Sequence, residues 1–354
     1  MILKIDPINP EMPKIRTAAK AVLEGKLVAI PTETVYGLAA NAFDDNACRK
    51  IFSVKGRPAD NPLIVTVGSF DMAKKIASIP TEYLDTLKRI WPSPITFVME
   101  AKEKFPKSVT SGLDTIAVRM PAHPVPLALI NECNVPLAAP SANISKHPSA
   151  TNASHVIRDF GDMIDVIIDS GDSFFGVEST IIDLRDFSLL RPGAFSIEEI
   201  ERFFGKSPKI TNPSRGLSEA EFAITPGMKY KHYAPNTPIA LSEGKIPQII
   251  KELDDETIKT LKDKCALIAS EQLCRSLGSN FSKVISLGDE DNLYDIARNL
   301  FSSLRKLDEI KADYGLIESF TESGIGLAIM NRLRKATSHV SFSDKESLKS
   351  FLRN

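Results

Sequence analysis

The spacing of apolar residues near the start of the chain predicts a helix, a buried strand and a second helix. Apolar residues three and four positions apart favour a helix over residues 13–24, which Gly25 is placed to end. Residues 27–30 form a short apolar run that Pro31 stops, as is typical of a buried strand. The apolar face of the next helix, which is amphipathic, is formed by Ala47, Ile51 and Phe52.

The alternation of strand and helix patterns continues to residue 204. Short apolar runs predict strands over residues 63–67, 95–99, 115–120, 135–140, 166–169 and 180–184. Helical spacing predicts helices over residues 72–79, 81–90, 153–160 and 196–204. We therefore predict an N-terminal α/β domain that covers residues 1–205.

Residues 206–238 differ in composition. They are rich in Pro, Ser, Gly and Asn and show little apolar periodicity, which predicts a linker. The linker contains a run that crowds cations and rings together: Lys229, Tyr230, Lys231, His232 and Tyr233. Because such a run can stack a ring on a nucleotide base and bring charge to phosphates, we expect a lid. A linker that docks on a domain through its tyrosines is the alternative.

Strand and helix candidates alternate again over residues 239–354, which predicts a smaller, Rossmann-like α/β domain with a parallel sheet. Its last predicted helix covers residues 326–335. The domain has neither G-x-G-x-x-G after a strand nor G-x-x-x-x-G-K-[ST]. We therefore predict a regulatory or interaction domain here, and no second nucleotide site.

The composition favours an enzyme of small molecules over a nucleic-acid binder. With 44 basic and 45 acidic residues, the chain has no general attraction for phosphate backbones. The four cysteines are scattered without a CxxC pair, so we expect neither a zinc site nor a disulfide framework. The sequence has no leader-like segment and no run of 18 apolar residues, so we expect a soluble, cytoplasmic protein.

The basic turn Lys55-Gly56-Arg57-Pro58 is a candidate anion site. Pro58 disfavours a helical conformation at Arg57, so we expect an extended segment in which Lys55 and Arg57 point the same way. An anion between the two cations would remove their repulsion, and a guanidinium can grip two phosphate oxygens at once. A solvated basic helix end is the alternative.

Polar residues at other predicted strand ends add to this candidate site. Arg119 stands in an apolar run and must meet an anion, which is either a protein carboxylate such as Glu33 or Glu178 or the carboxylate of an amino-acid substrate. Ser141 and Asn143 follow another predicted strand and offer neutral donors and acceptors for phosphate and ribose. Taken alone, they are equally typical of turns and caps.

Several motifs together resemble the YrdC-type threonylcarbamoyl-AMP synthases. The chain has PTETVYGL and KGRPADNPL, a KxR pair followed far downstream by an SxN pair, and then GVESTIIDL. The linker run KYKHYAP is similar to that of the long, two-domain members with an extra C-terminal domain. The resemblance implies a YrdC-like domain with a twisted open α/β sheet, and it covers chiefly the first 205 residues.

The resemblance implies a nucleotidyltransferase that converts L-threonine, bicarbonate or CO₂, and ATP into threonylcarbamoyl-AMP and pyrophosphate. Mg²⁺ would travel on the phosphates. This reaction is the first step toward threonylcarbamoyladenosine in tRNAs that decode ANN codons. The product would pass to a tRNA threonylcarbamoyl-transfer complex, and we expect no stable nucleic-acid binding, no membrane contact and no resident metal.

The resemblance also implies roles for single residues. Threonine would be bound by Thr34, Asn61, Arg119 and Ser179. ATP would be bound by Lys55, Arg57, Ser141, Asn143, Arg191 and Tyr230, and Lys55 and Arg57 would be catalytic by stabilising the pyrophosphate that leaves. The family commonly has PGP in the proline-framed turn where this chain has Ser93, so close approach of a ligand to that turn is not carried over.

Two functions of other classes compete with this interpretation. The first domain would be an RNA-binding module with a basic concave surface and no ATP chemistry, or a hydrolase acting through Ser141 and His147. The chain has no GxSxG or HExxH motif. Transfer of a nucleotidyl group depends on positioning and charge stabilisation more than on a protein nucleophile, so this absence agrees with a synthase.

Overall fold

The computed structural model describes residues 1–58, 61–218 and 233–353. The chain forms two compact units, the first comprising Met1–Ser145 and Ser149–Tyr230 and the second comprising Lys146–Pro148 and Lys231–Asn354. Among the described residues, no helix is long and apolar enough to cross a membrane. Both units are α/β, which confirms the predicted fold class.

The first unit is built on a mixed sheet. Its described strands are β1 (Ile2–Lys4), β2 (Val28–Ile30), β3 (Gly37–Asn41), β4 (Ile64–Thr66), β5 (Ala77–Ser78), β6 (Ile95–Ala101), β7 (Thr115–Arg119), β8 (Leu137–Ala138), β9 (Val166–Asp169), β10 (Thr180–Asp183) and β11 (Ser188–Arg191). The strand order is β1-β9-β2-β3-β8-β4-β7-β6-β10-β11, with β5 paired to β6 beside this path. Since β7 is antiparallel to β6 and β6 is parallel to β10, the end of β7 meets the starts of β6 and β10.

Helices cover this sheet, and short polar residues begin several of them. The described helices are α1 (Met12–Leu23), α2 (Asp45–Lys55), α3 (Phe70–Ile76), α4 (Leu84–Ile90), α5 (Lys107–Thr110), α6 (Pro124–Cys133), α7 (Ala153–Phe160), α8 (Ile197–Phe204) and α9 (Asn212–Arg215). The Asp44 carboxylate accepts the Ala47 N–H at 3.0 Å and so caps α2. Ser196 and Glu199 form a capping box at α8.

One buried cluster joins α1 and α6 to the sheet. It includes Ile15 and Val22 of α1, Leu129 of α6 and Ile168 of β9. The apolar face predicted for α2 is buried as well. Because each such side chain contributes about 1.5–3 kcal/mol on burial, these faces hold the helices onto the strands that carry the polar residues described below.

Two local predictions for this unit are wrong, and one helix was not predicted. The chain forms β3 after Tyr36, where we expected it to enter a helix directly, and α6 occupies residues for which no element was predicted. The turn after α2 is not extended from Lys55, since Lys55 is the last residue of α2 and Gly56 is left-handed with φ 58°. Gly56 ends the helix because a residue without Cβ adopts this conformation at little cost.

The second unit has a five-stranded parallel sheet in its described part. The strands are β12 (Ile239–Ser242), β13 (Cys265–Ala269), β14 (Lys283–Ser286), β15 (Tyr314–Ile317) and β16 (Ser341–Phe342), in the order β14-β13-β15-β12-β16. The helices are α10 (Ile246–Lys251), α11 (Asp255–Lys264), α12 (Glu271–Leu277), α13 (Leu293–Glu309), α14 (Gly326–Ala336) and α15 (Lys345–Arg353). This architecture confirms the predicted small parallel sheet, but α14 is not the last element, because β16 and α15 follow it.

Tyr233 is the one described member of the predicted lid run, and it lies in the second unit. Its ring centre is 5.2 Å from that of Phe301, and the Arg332 guanidinium lies 5.6 Å from the ring. The docked position of Tyr233 agrees with the alternative of a linker held by its tyrosines. The other four members, Lys229 to His232, lie outside the described residues, so the expected lid stays a prediction.

Candidate functional site

The loop after β2 places a fully buried hydroxyl beside the sheet. Thr32 Oγ1 accepts the backbone N–H groups of Thr34 (3.1 Å) and Val35 (3.2 Å) and donates its own hydrogen to Val35 O (2.6 Å). Thr34 Oγ1 is 2.8 Å from Thr32 Oγ1. Either hydroxyl can donate across this contact, and in both cases Thr34 Oγ1 keeps a lone pair that can accept from another group.

Lys55 ties the end of α2 to the segment that carries Ser141 and Asn143. The side chain is only 3% exposed, and its ammonium donates to Ser141 O at 2.5 Å and Asn143 O at 2.6 Å. Burial, followed by the charge of Arg57, lowers the pKa of Lys55 well below its usual value. Since an ammonium has three hydrogens, one remains for a further acceptor. Lys55 therefore has a structural contact that its motif did not predict.

Arg57 lies close to Lys55 and contacts Asn61. Its Nη2 donates to Asn61 O and Pro62 O, both at 2.9 Å, and its guanidinium lies 5.6 Å from the centre of the Phe52 ring. The two hydrogen bonds hold one edge of the guanidinium, and the Phe52 ring packs against its face. Asn61 is buried, and its side-chain Oδ1 has no hydrogen-bond partner among the described residues.

Arg119 forms a buried ion pair with Glu33. The two side chains are 7% and 5% exposed as residues, and Arg119 Nη2 lies 2.7 Å from Glu33 Oε1. This is one of the two protein partners expected from the sequence, whereas Glu178 instead accepts a hydrogen bond from Ser149 Oγ at 2.6 Å. The Arg119–Glu33 contact does not have hydrogen-bond geometry, and Arg119 Nε has no hydrogen-bond partner in the described part of the chain.

Arg191 and Ser179 contact each other directly. Arg191 Nε and Nη2 donate to Ser179 O at 3.2 and 3.0 Å, and Nη2 also lies 3.2 Å from Ser179 Oγ. Ser179 Oγ is 2.8 Å from Thr96 Oγ1 of β6. The turn after Arg191 requires glycine, because a Cβ on Gly193 would lie 2.2 Å from Thr180 N. Arg191 thus holds the start of β10 in place.

Strand register connects these contacts into one region of the first unit. Arg119 is paired with Thr96 in β6 and with Thr66 in β4, and Thr96 in turn meets Ser179. On the other side, Ser141 bridges to Gly37, three residues after Thr34. The described residues that we predicted for the site therefore lie in contacting segments, while Tyr230 lies outside the described residues. Their individual roles stay predictions.

Sequence reasoning missed several members of this region. Thr96 and Thr66 are single hydroxyls inside apolar strands, and Ser149 bonds to Glu178. A polar residue in an apolar strand was the available signal. It indicated Arg119, and it would equally have indicated Thr66 and Thr96, which pair with Arg119 in the sheet. Among the described residues, no group of three or more His, Cys, Asp or Glu side chains is placed to hold a metal ion.

The chain is similar to known proteins over nearly its whole length. A family model described as telomere recombination matches residues 20–193, and one described as threonylcarbamoyl-AMP synthase, C-terminal domain, matches residues 195–338. The threonylcarbamoyl-AMP synthase of Pyrococcus abyssi is 46% identical over 331 residues, which cover 92% of this chain and 94% of the relative. That of Bacillus subtilis is 42% identical over 336 residues, covering 94% and 95%.

Solved structures agree with this similarity. The crystal structure of P. abyssi Sua5 complexed with L-threonine matches with a TM-score of 0.89 at 45% identity, and the match covers 97% of this chain and 99% of that chain. Sequence relatives, family models and the fold thus agree across both units, whereas the motifs of the sequence indicated the family chiefly through the first 205 residues. This chain belongs to the threonylcarbamoyl-AMP synthase family.

Proposed function

We propose that the chain is an L-threonylcarbamoyladenylate synthase, which converts L-threonine, bicarbonate or CO₂, and ATP into threonylcarbamoyl-AMP and pyrophosphate. Membership of the family supports the reaction, since the two relatives described above are both named threonylcarbamoyl-AMP synthase. The solved neighbour that binds L-threonine supports the amino-acid substrate.

The observation that carries the proposal is a set of buried polar atoms without hydrogen bonds in one region. Arg119 Nε, Asn61 Oδ1 and both carboxylate oxygens of Glu33 have no hydrogen-bond partner among the described residues. An unsatisfied buried group costs about 1–3 kcal/mol, so a ligand that completes these bonds would be stabilised. Donor, acceptor and carboxylate together suit a zwitterionic amino acid.

Threonine would lie between Arg119 and Thr34. The carboxylate would accept from the Arg119 guanidinium, which is buried and therefore acts in a medium of low dielectric constant. The lone pairs of Thr34 would accept a hydrogen from the amine or the hydroxyl of threonine. Asn61 and Ser179 would complete the contacts to the substrate.

ATP would be bound by Lys55, Arg57, Ser141, Asn143, Arg191 and Tyr230. Arg57 would bring its planar guanidinium to phosphate oxygens, and Lys55 would direct its third hydrogen at the same anion while its other two keep the segment 141–143 in position. Arg191 would act through the start of β10, which it orients. Mg²⁺ would enter as part of the Mg-ATP substrate.

The reaction would proceed in two steps. The threonine amine attacks CO₂ and loses a proton, which forms a carbamate. A carbamate oxygen then attacks the α-phosphate of ATP, and the bond from that phosphate to the pyrophosphate oxygen breaks. Lys55 and Arg57 would stabilise the negative charge on the leaving pyrophosphate, so the protein supplies orientation and charge without a covalent intermediate.

The product would be handed to a tRNA threonylcarbamoyl-transfer complex in the cytoplasm, as the first step of the modification of tRNAs that decode ANN codons. We retain residues 1–205 as the catalytic domain, 206–238 as the linker and lid, and 239–354 as a regulatory or interaction domain. These boundaries and roles are part of the proposal.

A direct assay tests the proposed reaction. The full chain is incubated with Mg-ATP, bicarbonate and each amino acid in turn, and pyrophosphate and the adenylate product are quantified. We expect pyrophosphate release that depends on threonine and on bicarbonate, and its loss in the Arg57→Ala variant without a change in fold. Salt-dependent binding of tRNA without consumption of ATP would contradict the proposal and favour the RNA-binding alternative.

A further inference from the structure

The second unit includes three residues of the loop that follows the segment 141–143. These residues, Lys146–Pro148, group with Lys231–Asn354, whereas the residues on either side of them belong to the first unit. A hydrogen bond within the second unit holds them, because the Arg305 guanidinium donates from Nη2 to Pro148 O at 2.5 Å. No residue of the proposed site takes part in this bond.

Arg305 is a donor on a rigid support. It lies in α13 and is only 7% exposed as a residue. The nearby side chains of Phe301, Leu304 and Leu307 are fully buried, so they fix α13 against the core of the second unit. A guanidinium stays charged, and this charge together with the low dielectric constant of a buried position strengthens its hydrogen bond to a carbonyl. Arg305 is therefore a strong anchor for the backbone at Pro148.

The loop has a strained conformation at Lys146, two residues before this anchor. Lys146 has φ 75°, in the left-handed region that residues with a Cβ avoid. Hydrogen bonds fix both sides of it, since Ser145 N–H donates to Lys55 O at 2.8 Å and Lys146 O accepts from Ala234 N–H at 2.9 Å. Strain of this kind persists only where the surrounding contacts impose it. The Arg305 bond is one of these contacts, so its removal should let Lys146 relax.

Lys55 connects the strained loop to the proposed ATP site. Its carbonyl accepts the Ser145 N–H, and its ammonium donates to Ser141 O and Asn143 O. The residues before Lys146 are thus fixed to Lys55, and those from Lys146 onward are fixed within the second unit. Because consecutive Cα atoms keep a constant separation, a shift at Lys146 must be taken up by the backbone next to it. A shift of the anchored residues therefore reaches Ser141 and Asn143.

We propose that Arg305 is a positioning residue for the ATP site. By holding Pro148 it keeps Lys146 left-handed, and so fixes Ser141 and Asn143 where they meet phosphate and ribose. Threonine is bound by side chains on other elements, so Arg305 has no effect on its affinity. The inference rests on the proposed synthase function and deepens it, because it gives the second unit a role in binding ATP.

Hydrogen–deuterium exchange of the full chain tests the structural half of the proposal without any substrate. Arg305→Met removes the guanidinium but keeps a long side chain, Arg305→Lys keeps the charge, and Arg298→Met is the matched control at an exposed position of the same helix. In peptides that cover residues 141–150, we expect exchange about tenfold faster in Arg305→Met, about threefold faster in Arg305→Lys and unchanged in Arg298→Met.

Two results of this exchange measurement would overturn the proposal. The first is unchanged exchange of residues 141–150 in both Arg305 variants. The second is an equal acceleration throughout the second unit, since Arg305 would then stabilise that unit as a whole and not the loop.

Calorimetric titrations of the same variants test the functional half. Mg-ATP is titrated without threonine and bicarbonate, and L-threonine is titrated separately. We expect the dissociation constant of Mg-ATP to rise about tenfold in Arg305→Met and about threefold in Arg305→Lys, with no change for threonine. Arg298→Met should bind both ligands as the unmodified chain does. If Arg305→Met does not fold, Arg305→Lys decides by the same two measurements.

The two measurements separate failure of the inference from failure of the proposed function. Faster exchange of residues 141–150 with unchanged affinity for Mg-ATP overturns the positioning role, because Arg305 then orders the loop alone. An equal loss of affinity for Mg-ATP and threonine also overturns it, since a general loss of structure explains that result. If the unmodified chain binds neither ligand, the synthase function itself fails, and the positioning role fails with it even where the exchange rates change as expected.

Discussion

The buried ion pair between Arg119 and Glu33 allows a structural role to be separated from a binding role. Both side chains are less than one-tenth exposed and their charged atoms are 2.7 Å apart. Removing one partner of such a pair leaves an uncompensated buried charge, so Arg119→Ala should lower the free energy of unfolding by about 3–5 kcal/mol. Adding Glu33→Gln removes that charge, and the double variant should recover part of the loss.

The binding of threonine should not recover with stability. In the proposed binding mode, both variants remove the charge-assisted contact between Arg119 and the substrate carboxylate, which is worth about 1.5–3 kcal/mol. We therefore expect threonine affinity to fall by about 10- to 100-fold in the single and the double variant alike. Urea unfolding measures the first quantity, and calorimetric titration with L-threonine measures the second.

A matched control comes from the pair Arg49–Asp45. Arg49 Nε lies 2.7 Å from Asp45 Oδ2, but the two side chains are 69% and 40% exposed. Arg49→Ala should cost at most about 1 kcal/mol and leave threonine affinity unchanged. If the double variant at Glu33 and Arg119 binds threonine as well as the unmodified chain does, Arg119 stabilises the fold only and the proposed clamp is wrong.

Three further predictions concern Lys55, Gly193 and Cys48. Burial lowers the pKa of Lys55, so between that lowered value and 10.5 the unfolded chain binds more protons than the folded chain. In this pH range, the contribution of Lys55 to the free energy of unfolding therefore rises with pH. Urea unfolding at several pH values should show this rise in the unmodified chain and not in Lys55→Met. Gly193→Ala places a Cβ 2.2 Å from Thr180 N and should lower the free energy of unfolding by about 3 kcal/mol or more. Gly171→Ala is the control, since its Cβ would meet nothing within 4 Å; at φ +81° it should cost only about 1–2 kcal/mol. Equal losses for the two variants in urea unfolding would contradict the clash. Burial raises the pKa of Cys48 to about 12, so iodoacetamide should modify this thiol much more slowly in the folded than in the unfolded chain, as mass spectrometry of the modified peptide can measure.

Local patterns were sufficient for most of the fold because many elements bury one apolar face. Helices α1 and α7 lie close to their predicted ranges, and β13 of the second unit is apolar and buried along its whole length. The sequence of β3, GLAAN, has no β-branched residue and becomes a strand only by pairing with β2 and β8. Helix α6 begins with two prolines in its first turn, which we did not recognise as a start signal.

The sequence indicated candidate residues for the site, but not the contacts that they make in the structure. Residue types at strand ends and the family motifs indicated Arg119, Ser141 and Asn143 as candidates. Motif spacing does not report that the Lys55 ammonium donates to two carbonyls more than 80 positions away, since such a contact depends on how α2 and the segment after β8 are placed. For Arg119, the sequence left two protein partners open, and the structure pairs it with Glu33 of the loop after β2.

The sequestered ammonium of Lys55 also affects how the protein responds to its ionic surroundings. Dissolved ions weaken exposed pairs such as Lys74–Asp71, because screening at physiological salt acts over about 8 Å of water. Little solvent reaches Lys55, so its hydrogen bonds to Ser141 O and Asn143 O should persist at high salt. If Lys55 and Arg57 bind phosphate as proposed, high salt should compete with phosphate for them while the segment 141–143 stays in place, and activity lost in concentrated salt should return on dilution.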